Sequence, residues 1–262
     1  MKIFLTAVAV FVGLLHSACQ SEQLPEVRVF GAASLSVAFS DLTAAFEAAN
    51  PGVRVVANLA GSQVLRVQIE EGASADVFVS ANEVHMGRLG VKGFLMEPIR
   101  VATWNDLVLA VPAGNPANVR TLGDLAGANR RVVMAGEAVP AGAYARETLA
   151  RFASVSGKAD VDDIILDRVI SFETNVRLVA TKLELGEADA GFVYRTDVRA
   201  SDGRLEVVEL PENIQVSARY PIAILREAKR ADLAELFILF VRSDTGQMIL
   251  HRNGFGSGTV VD

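Results

Sequence analysis

The sequence has one cysteine, three histidines and three tyrosines in 262 residues. A single cysteine excludes an internal disulfide framework and any cysteine-rich zinc centre. The histidines, His16, His85 and His251, are spread along the chain. They give no sign of a histidine-based triad or a multi-histidine metal site, and His85 and His251 are expected to be surface or partly buried side chains. There is no GxSxG elbow, no Walker GxxxxGK[ST] loop and no GxGxxG following a strand. The run Gly254-Phe255-Gly256-Ser257-Gly258 has no helix after it and reads as a terminal loop. Positive charge is also scarce, with 25 Lys and Arg against 31 Asp and Glu and a net charge of −6, which argues against a nucleic-acid partner. The acidic clusters Asp162-Asp163 with Asp167, and Glu70-Glu71, lack the alternating ligand spacing of a calcium loop and read as solvated faces.

What the chain does have begins at its N-terminus. Lys2 precedes an apolar run of 13 residues, Ile3 to Leu15, and small residues at Ser17 and Ala18 lead to Cys19. The run is too short to span a bilayer and has the parts of a secretory signal. No later apolar run reaches about 18 residues, so no second membrane segment is expected. Cys19 stands where signal peptidase II leaves a lipidated residue, although His16 occupies a position where bacterial lipoproteins usually carry Leu. The alternative is an ordinary cleaved signal with Cys19 incidental. Either way, the mature chain works in the periplasm or on the outer face of the cytoplasmic membrane. Residues 1–18 are thus expected to be a signal peptide and 19–26 a tether. Removing the signal takes away Lys2 and no acid, so the net charge becomes −7.

Over the whole chain half of the residues are apolar and 21% are charged, the balance of a folded chain. Val27 to Ala33 reads as a strand, and Leu35, Phe39, Leu42, Phe46 and Ala49 then recur on one helical face. Strands at Val53–Ala60, Asp76–Ser80, Leu107–Val111, Arg131–Ala135, Val169–Phe172 and Ala190–Tyr194 alternate with helical patterns. Helices are expected at residues 63–71, Asn82–Leu89, Pro140–Val155 and Asn175–Leu185, and Thr121-Leu122-Gly123-Asp124 looks like a capped helix start. Strands at Leu205–Leu210 and Val216–Leu225 and closing helices at Asp232–Arg242 and Thr245–Arg252 complete the chain. Repeated βα units imply parallel sheets with helices on both faces. Two lobes suit this number of strands better than one sheet, with crossovers near Asn105 and Ala218.

In open α/β sheets ligands sit beyond the carboxyl ends of the strands. Four helix starts there carry small residues: Ser34 after Gly31-Ala32-Ala33, Ser62 after Ala60-Gly61, Ala141 after Val139-Pro140, and Asn175-Val176. Each offers free backbone N–H groups and the positive end of a helix dipole, which together suit an anion. The plainer role of each serine is a helix cap. Tyr194, ending an apolar strand, reads on its own as a core residue with a wet tip, and Tyr144 and Tyr220 are assigned to packing.

In order and at these spacings, the segments resemble the periplasmic molybdate-binding proteins, the solute receptors of molybdate ABC importers. The resemblance runs over nearly the whole mature chain. It is carried by Val29-Phe30-Gly31-Ala32-Ala33-Ser34-Leu35, Ala60-Gly61-Ser62, and Gln68-Ile69-Glu70 with Ala75-Asp76-Val77-Phe78. Further on it is carried by Val139-Pro140-Ala141-Gly142-Ala143-Tyr144-Ala145, Asn175-Val176-Arg177, Gly186 to Tyr194, Tyr220-Pro221-Ile222-Ala223 and Asn253-Gly254-Phe255. It implies a two-lobed α/β periplasmic-binding-protein fold of type II, each lobe a mostly parallel sheet, with the ligand in the cleft between them. Residues 27–105 with 219–262 would form lobe I, and 106–218 lobe II.

The resemblance also implies that molybdate, or tungstate, is held as an oxyanion by Ser34, Ser62, Ala141, Val176 and Tyr194. The serines and the tyrosine would give hydroxyls, and the serines, Ala141 and Val176 backbone N–H groups. Gly31 stands where the family more often has Ala, and Gln63 where Ser or Thr is common. The implied protein is a monomeric, non-enzymatic receptor without a cofactor, and its partner is the membrane permease of a molybdate importer. The alternatives are a receptor for sulfate or phosphate, or a secreted α/β enzyme acting on an anionic ester. A ferric receptor usually offers adjacent tyrosines, which this chain lacks, and no His, Cys or Lys neighbours Ser34 or Ser62 to support catalysis.

Overall fold

The computed structural model describes residues 24–127, 129–158 and 160–256. The expected signal and Cys19 lie outside them. The chain opens with β1 (Glu26–Ala32), α1 (Ser36–Ala49), β2 (Arg54–Ala60), α2 (Ser62–Glu70), β3 (Val77–Val79) and α3 (Glu83–Val91), followed by a long strand β4 (Arg100–Pro112). Next come β5 (Val132–Ala135), α4 (Pro140–Ser156), α5 (Val161–Leu166), β6 (Val169–Glu173), α6 (Val176–Glu184), β7 (Ala190–Tyr194) and α7 (Arg195–Ala200). The chain closes with β8 (Leu205–Val208), β9 (Ser217–Ile224), α8 (Ala231–Arg242) and α9 (Asp244–Arg252).

The periodic face of α1 does what its spacing asks of it. Phe39, Leu42 and Phe46 are buried, and Phe46 meets Phe237 and Phe240 of α8 edge-on, with ring centroids 5.2 and 5.5 Å apart. Burial of such a ring contributes about 1.5–3 kcal/mol, which anchors α1 on α8 and β2, with α8 in turn against β1.

The strand order is β2-β1-β3-β9-β4-β7-β5-β6, with β8 also on β4. Two sets of parallel strands, β2-β1-β3 and β7-β5-β6, are joined through antiparallel β9 and β4. The sheet is therefore mixed, and the strands that break the parallel pattern are those that pass between its halves. Residues 100–106 of β4 pair with β9, whereas residues 107–112 pair with β7 and β8. Asn105 and Ala218, the two positions near which crossovers are expected, face each other across this pair.

Three features were not anticipated. The strand expected at Leu107–Val111 begins seven residues earlier, at Arg100, because its first half pairs with β9 through residues as polar as Asn105 and Asp106. The helices α5 and α7 have six residues each, too few turns to display a period. Thr121 and Asp124 do form a capping box, but over a 3₁₀ turn, Leu122–Ala126. Among the described residues no helix is long and apolar enough to cross a membrane.

Candidate functional site

The carboxyl ends of β1, β2, β3, β5, β6 and β7 converge on one small cavity of about 220 Å³ of atom-free space. Ser34, Ser62, Ala141, Val176 and Tyr194 all line it. The remaining lining residues are Ala32, Ala33, Ala60, Gly61, Ala81, Val139, Pro140 and Asn175, none of them charged. The site residues come from both halves of the sheet. Ser34 and Ser62 follow β1 and β2, and Ala141 and Val176 follow β5 and β6.

The helix starts are built so that their N–H groups are left over. The first N–H groups of any helix lack intrahelical acceptors and normally find a capping side chain. Here the 3₁₀ turn holding Ser34, the start of α2 and the start of α4 have no side-chain cap. Pro140 at the first position of α4 has no N–H, so that of Ala141 is the first offered. Helix α6 is capped by Asn175, but Oδ1 of Asn175 accepts from Leu178 N–H at 3.2 Å, two positions beyond Val176.

Neither serine acts as the cap of its own helix. The Oγ of Ser62 accepts the N–H of Ala81 at 3.0 Å, and the Oγ of Ser34 lies 2.7 Å from Oη of Tyr220. Tyr194 is 1% exposed, and its hydroxyl has no hydrogen-bond partner among the described residues. Leaving such a group unsatisfied costs about 1–3 kcal/mol, so a buried orphan donor on a cavity wall marks where a ligand acceptor belongs. Burial pushes the Tyr194 phenol well above its ordinary value, and so keeps it a neutral donor.

Close backbone approach sets the shape of the cavity. A Cβ on Gly142 would strike the carbonyl oxygens of Gly136 and Ala135, so α4 begins against the end of β5 because this residue is glycine. The methyl of Leu59 lies 2.8 Å from where a Cβ on Gly31 would stand and fills the space of the alanine more common there. Gln63 replaces a small hydroxyl residue with a bridge, because its Nε2 donates to the Thr174 carbonyl at 2.7 Å. It thereby links the start of α2 to the turn before α6.

A second link across the cleft comes from His85. It is 3% exposed, and its Nε2 lies 2.8 Å from the Ala138 carbonyl in the turn before α4. The sequence pointed to a surface or partly buried side chain. The structure buries it because α3 packs against α2 and β9 while the ring reaches the Ala138 carbonyl beyond them. Burial, with Arg66 and Arg88 nearby, lowers its pKa from 6.5.

Behind the wall, Asp197 accepts Tyr194 N–H at 3.0 Å and one guanidinium N–H of Arg177 at 3.2 Å. Burial pushes its carboxyl up to about 6 against the pull of Arg177. This pair ties Tyr194 to the first turn of α6. Tyr144 packs against the core, whereas Tyr220, also assigned to packing, touches a site serine. That polar contact had no local signal, because Tyr220 and Ser34 are 186 residues apart. The acidic clusters gather no metal-binding group of three or more ligands among the described residues, and Glu70 instead pairs with Arg66 and Lys92.

The profile of the bacterial extracellular solute-binding protein family matches residues 27–256. The molybdate-binding protein ModA of Mycobacterium tuberculosis is 36% identical over 230 residues, which cover 87% of this chain and 84% of that protein. Two solved structures share the fold at low identity. The periplasmic molybdate-binding protein of Azotobacter vinelandii has a TM-score of 0.75 at 21% identity, over 88% of this chain and 98% of that one. The sulfate-binding protein SubI from Mycobacterium tuberculosis has a TM-score of 0.77 at 19% identity, over 91% and 88%.

Proposed function

The chain belongs to the bacterial extracellular solute-binding proteins, and on that premise we propose that it captures molybdate, and with it tungstate, for delivery to an ABC importer. The family has the two-lobed α/β fold of type II periplasmic-binding proteins, and its role is transport rather than catalysis. The observation that carries the reading is the unpartnered Tyr194 hydroxyl in a cavity lined by helix starts without caps.

Ser34, Ser62, Ala141, Val176 and Tyr194 are the proposed ligands, each acting as a donor. Molybdate at neutral pH has four acceptor oxygens and no proton, so a lining made of donors suits it. Charge-assisted hydrogen bonds of about 1.5–3 kcal/mol each offset its desolvation without a buried counter-charge. Sulfate has the same charge and shape, so selection against it rests on size, and tungstate, nearly as large as molybdate, is accepted. The likeness to ModA supports molybdate. The fold shared with SubI makes sulfate the rival to test.

Lobe I is proposed as residues 27–105 with 219–262 and lobe II as 106–218, with the hinge where Asn105 faces Ala218. Closure about it would present the loaded state to the permease. Isothermal titration with molybdate, tungstate, sulfate and phosphate tests the assignment. Tight binding of the first two and weak binding of the others is expected. Sulfate bound as tightly as molybdate, or no oxyanion bound at all, would overturn it. Cys19 is proposed as a lipid anchor, so the protein should fractionate with membranes and the Cys19→Ser variant should not.

A further inference from the structure

Of the donors around the cavity, the backbone N–H groups have no choice of role, but a serine hydroxyl can give or accept a hydrogen bond. What stands behind each serine therefore decides what it offers in front. Ser62 is settled by the backbone, since the Ala81 N–H can only donate to its Oγ. Ser34 faces another hydroxyl, that of Tyr220 at 2.7 Å, and either oxygen of such a pair could supply the proton.

The next bond in the chain breaks that symmetry. Nδ2 of Asn105 donates to Oγ1 of Thr196 at 2.8 Å and lies 3.4 Å from Oη of Tyr220. An amide N–H cannot accept, and of the two hydroxyls beside Tyr220 only Ser34, at 2.7 Å, stands in hydrogen-bond geometry with it, whereas that of Tyr194 does not, so the Tyr220 proton is directed to Ser34. A phenol is also a stronger acid than an aliphatic alcohol, which favours the same direction. The ring cannot turn away, because it is fully buried and met edge-on by Phe255 at 5.7 Å and Tyr194 at 6.0 Å. Burial holds the Tyr220 phenol above its ordinary pKa, so its proton stays in place.

We propose that Tyr220 is a positioning residue that, backed by Asn105, locks the Ser34 hydroxyl as a donor into the cavity and so selects tetrahedral oxyanions that carry no proton. The inference rests on the oxyanion reading of the site. An oxyanion that still bears a hydrogen needs one acceptor in the wall. With Tyr220 donating to Ser34 and Ala81 to Ser62, neither serine offers one readily, and the remaining hydroxyl, that of Tyr194, is a phenol and so a weaker acceptor than an alcohol.

The test uses two tetrahedral dianions of nearly equal size at mildly alkaline pH, chromate, which is fully deprotonated, and hydrogen arsenate, which keeps one proton. The wild-type protein should prefer chromate strongly in isothermal titration. Tyr220→Phe keeps the ring and removes the proton donor, and should narrow the chromate-to-arsenate affinity ratio by about fivefold or more. Asn105→Asp puts an acceptor behind Tyr220, draws its proton away from Ser34, and should narrow the ratio as well. A general loss of packing would weaken both anions alike and leave the ratio unchanged. Folded Tyr220→Phe and Asn105→Asp proteins that both keep the wild-type ratio would overturn the inference. A wild-type protein that binds neither these anions nor molybdate would instead overturn the oxyanion reading itself.

Discussion

Tyr194 shows how a single residue can be uncomfortable for a reason. Its hydroxyl is buried without a partner, a state that costs the folded protein unless an acceptor arrives. Tyr194→Phe should therefore weaken molybdate binding by about 1–3 kcal/mol in titration calorimetry while leaving the melting temperature of the unliganded protein unchanged or slightly raised. A matched loss of stability would instead mark the hydroxyl as structural. The sequence placed Tyr194 at the end of a strand, but a strand end alone does not show that a hydroxyl will be left alone. Ser34 and Ser62 were legible as small polar residues at helix starts. That they leave the capping role unfilled was not, because their partners, Tyr220 and Ala81, depend on tertiary contacts 186 and 19 residues away.

At the scale of elements, the six strands that aim at the cavity were all visible in the sequence, since each contains a short apolar run. The long β4 was only half visible, because its residues 100–106 match β9 rather than any local pattern. The packing of α4 on β5 depends on Gly142, whose missing Cβ lets the helix start touch the strand end. Gly142→Ala would drive a methyl into two backbone carbonyls that cannot swing aside. A loss of about 2 kcal/mol or more in urea unfolding is expected. Molybdate affinity should fall further than for a substitution on the far side of α4, since Ala141 would move with the helix.

For the whole molecule, His85 and Gln63 reach across the cleft, to the Ala138 and Thr174 carbonyls. Burial lowers the His85 pKa below 6.5, so just below that pH the unfolded chain binds a proton that the folded protein refuses. The contribution of His85 is complete above pH 6.5 and is lost as the pH falls toward its folded value. Asp197, raised to about 6 by burial, takes up a proton on the folded side in the same range and opposes this loss, so the signature of His85 is a difference: between about pH 7.5 and pH 5.5 the urea midpoint of the wild type should fall relative to that of His85→Gln. If the two proteins show the same slope, the histidine is not its source. The net charge of −6 repels an anion at long range, so recognition of one falls to the helix ends that line the cavity. Those ends carry a consequence of their own. Four helix starts line one cavity, so under the proposed closure their positive ends would push one another apart, and a closed cleft without an anion would be a compressed spring. A dianion between them would turn each of those repulsions into an attraction, and the shape of the protein would then report its cargo.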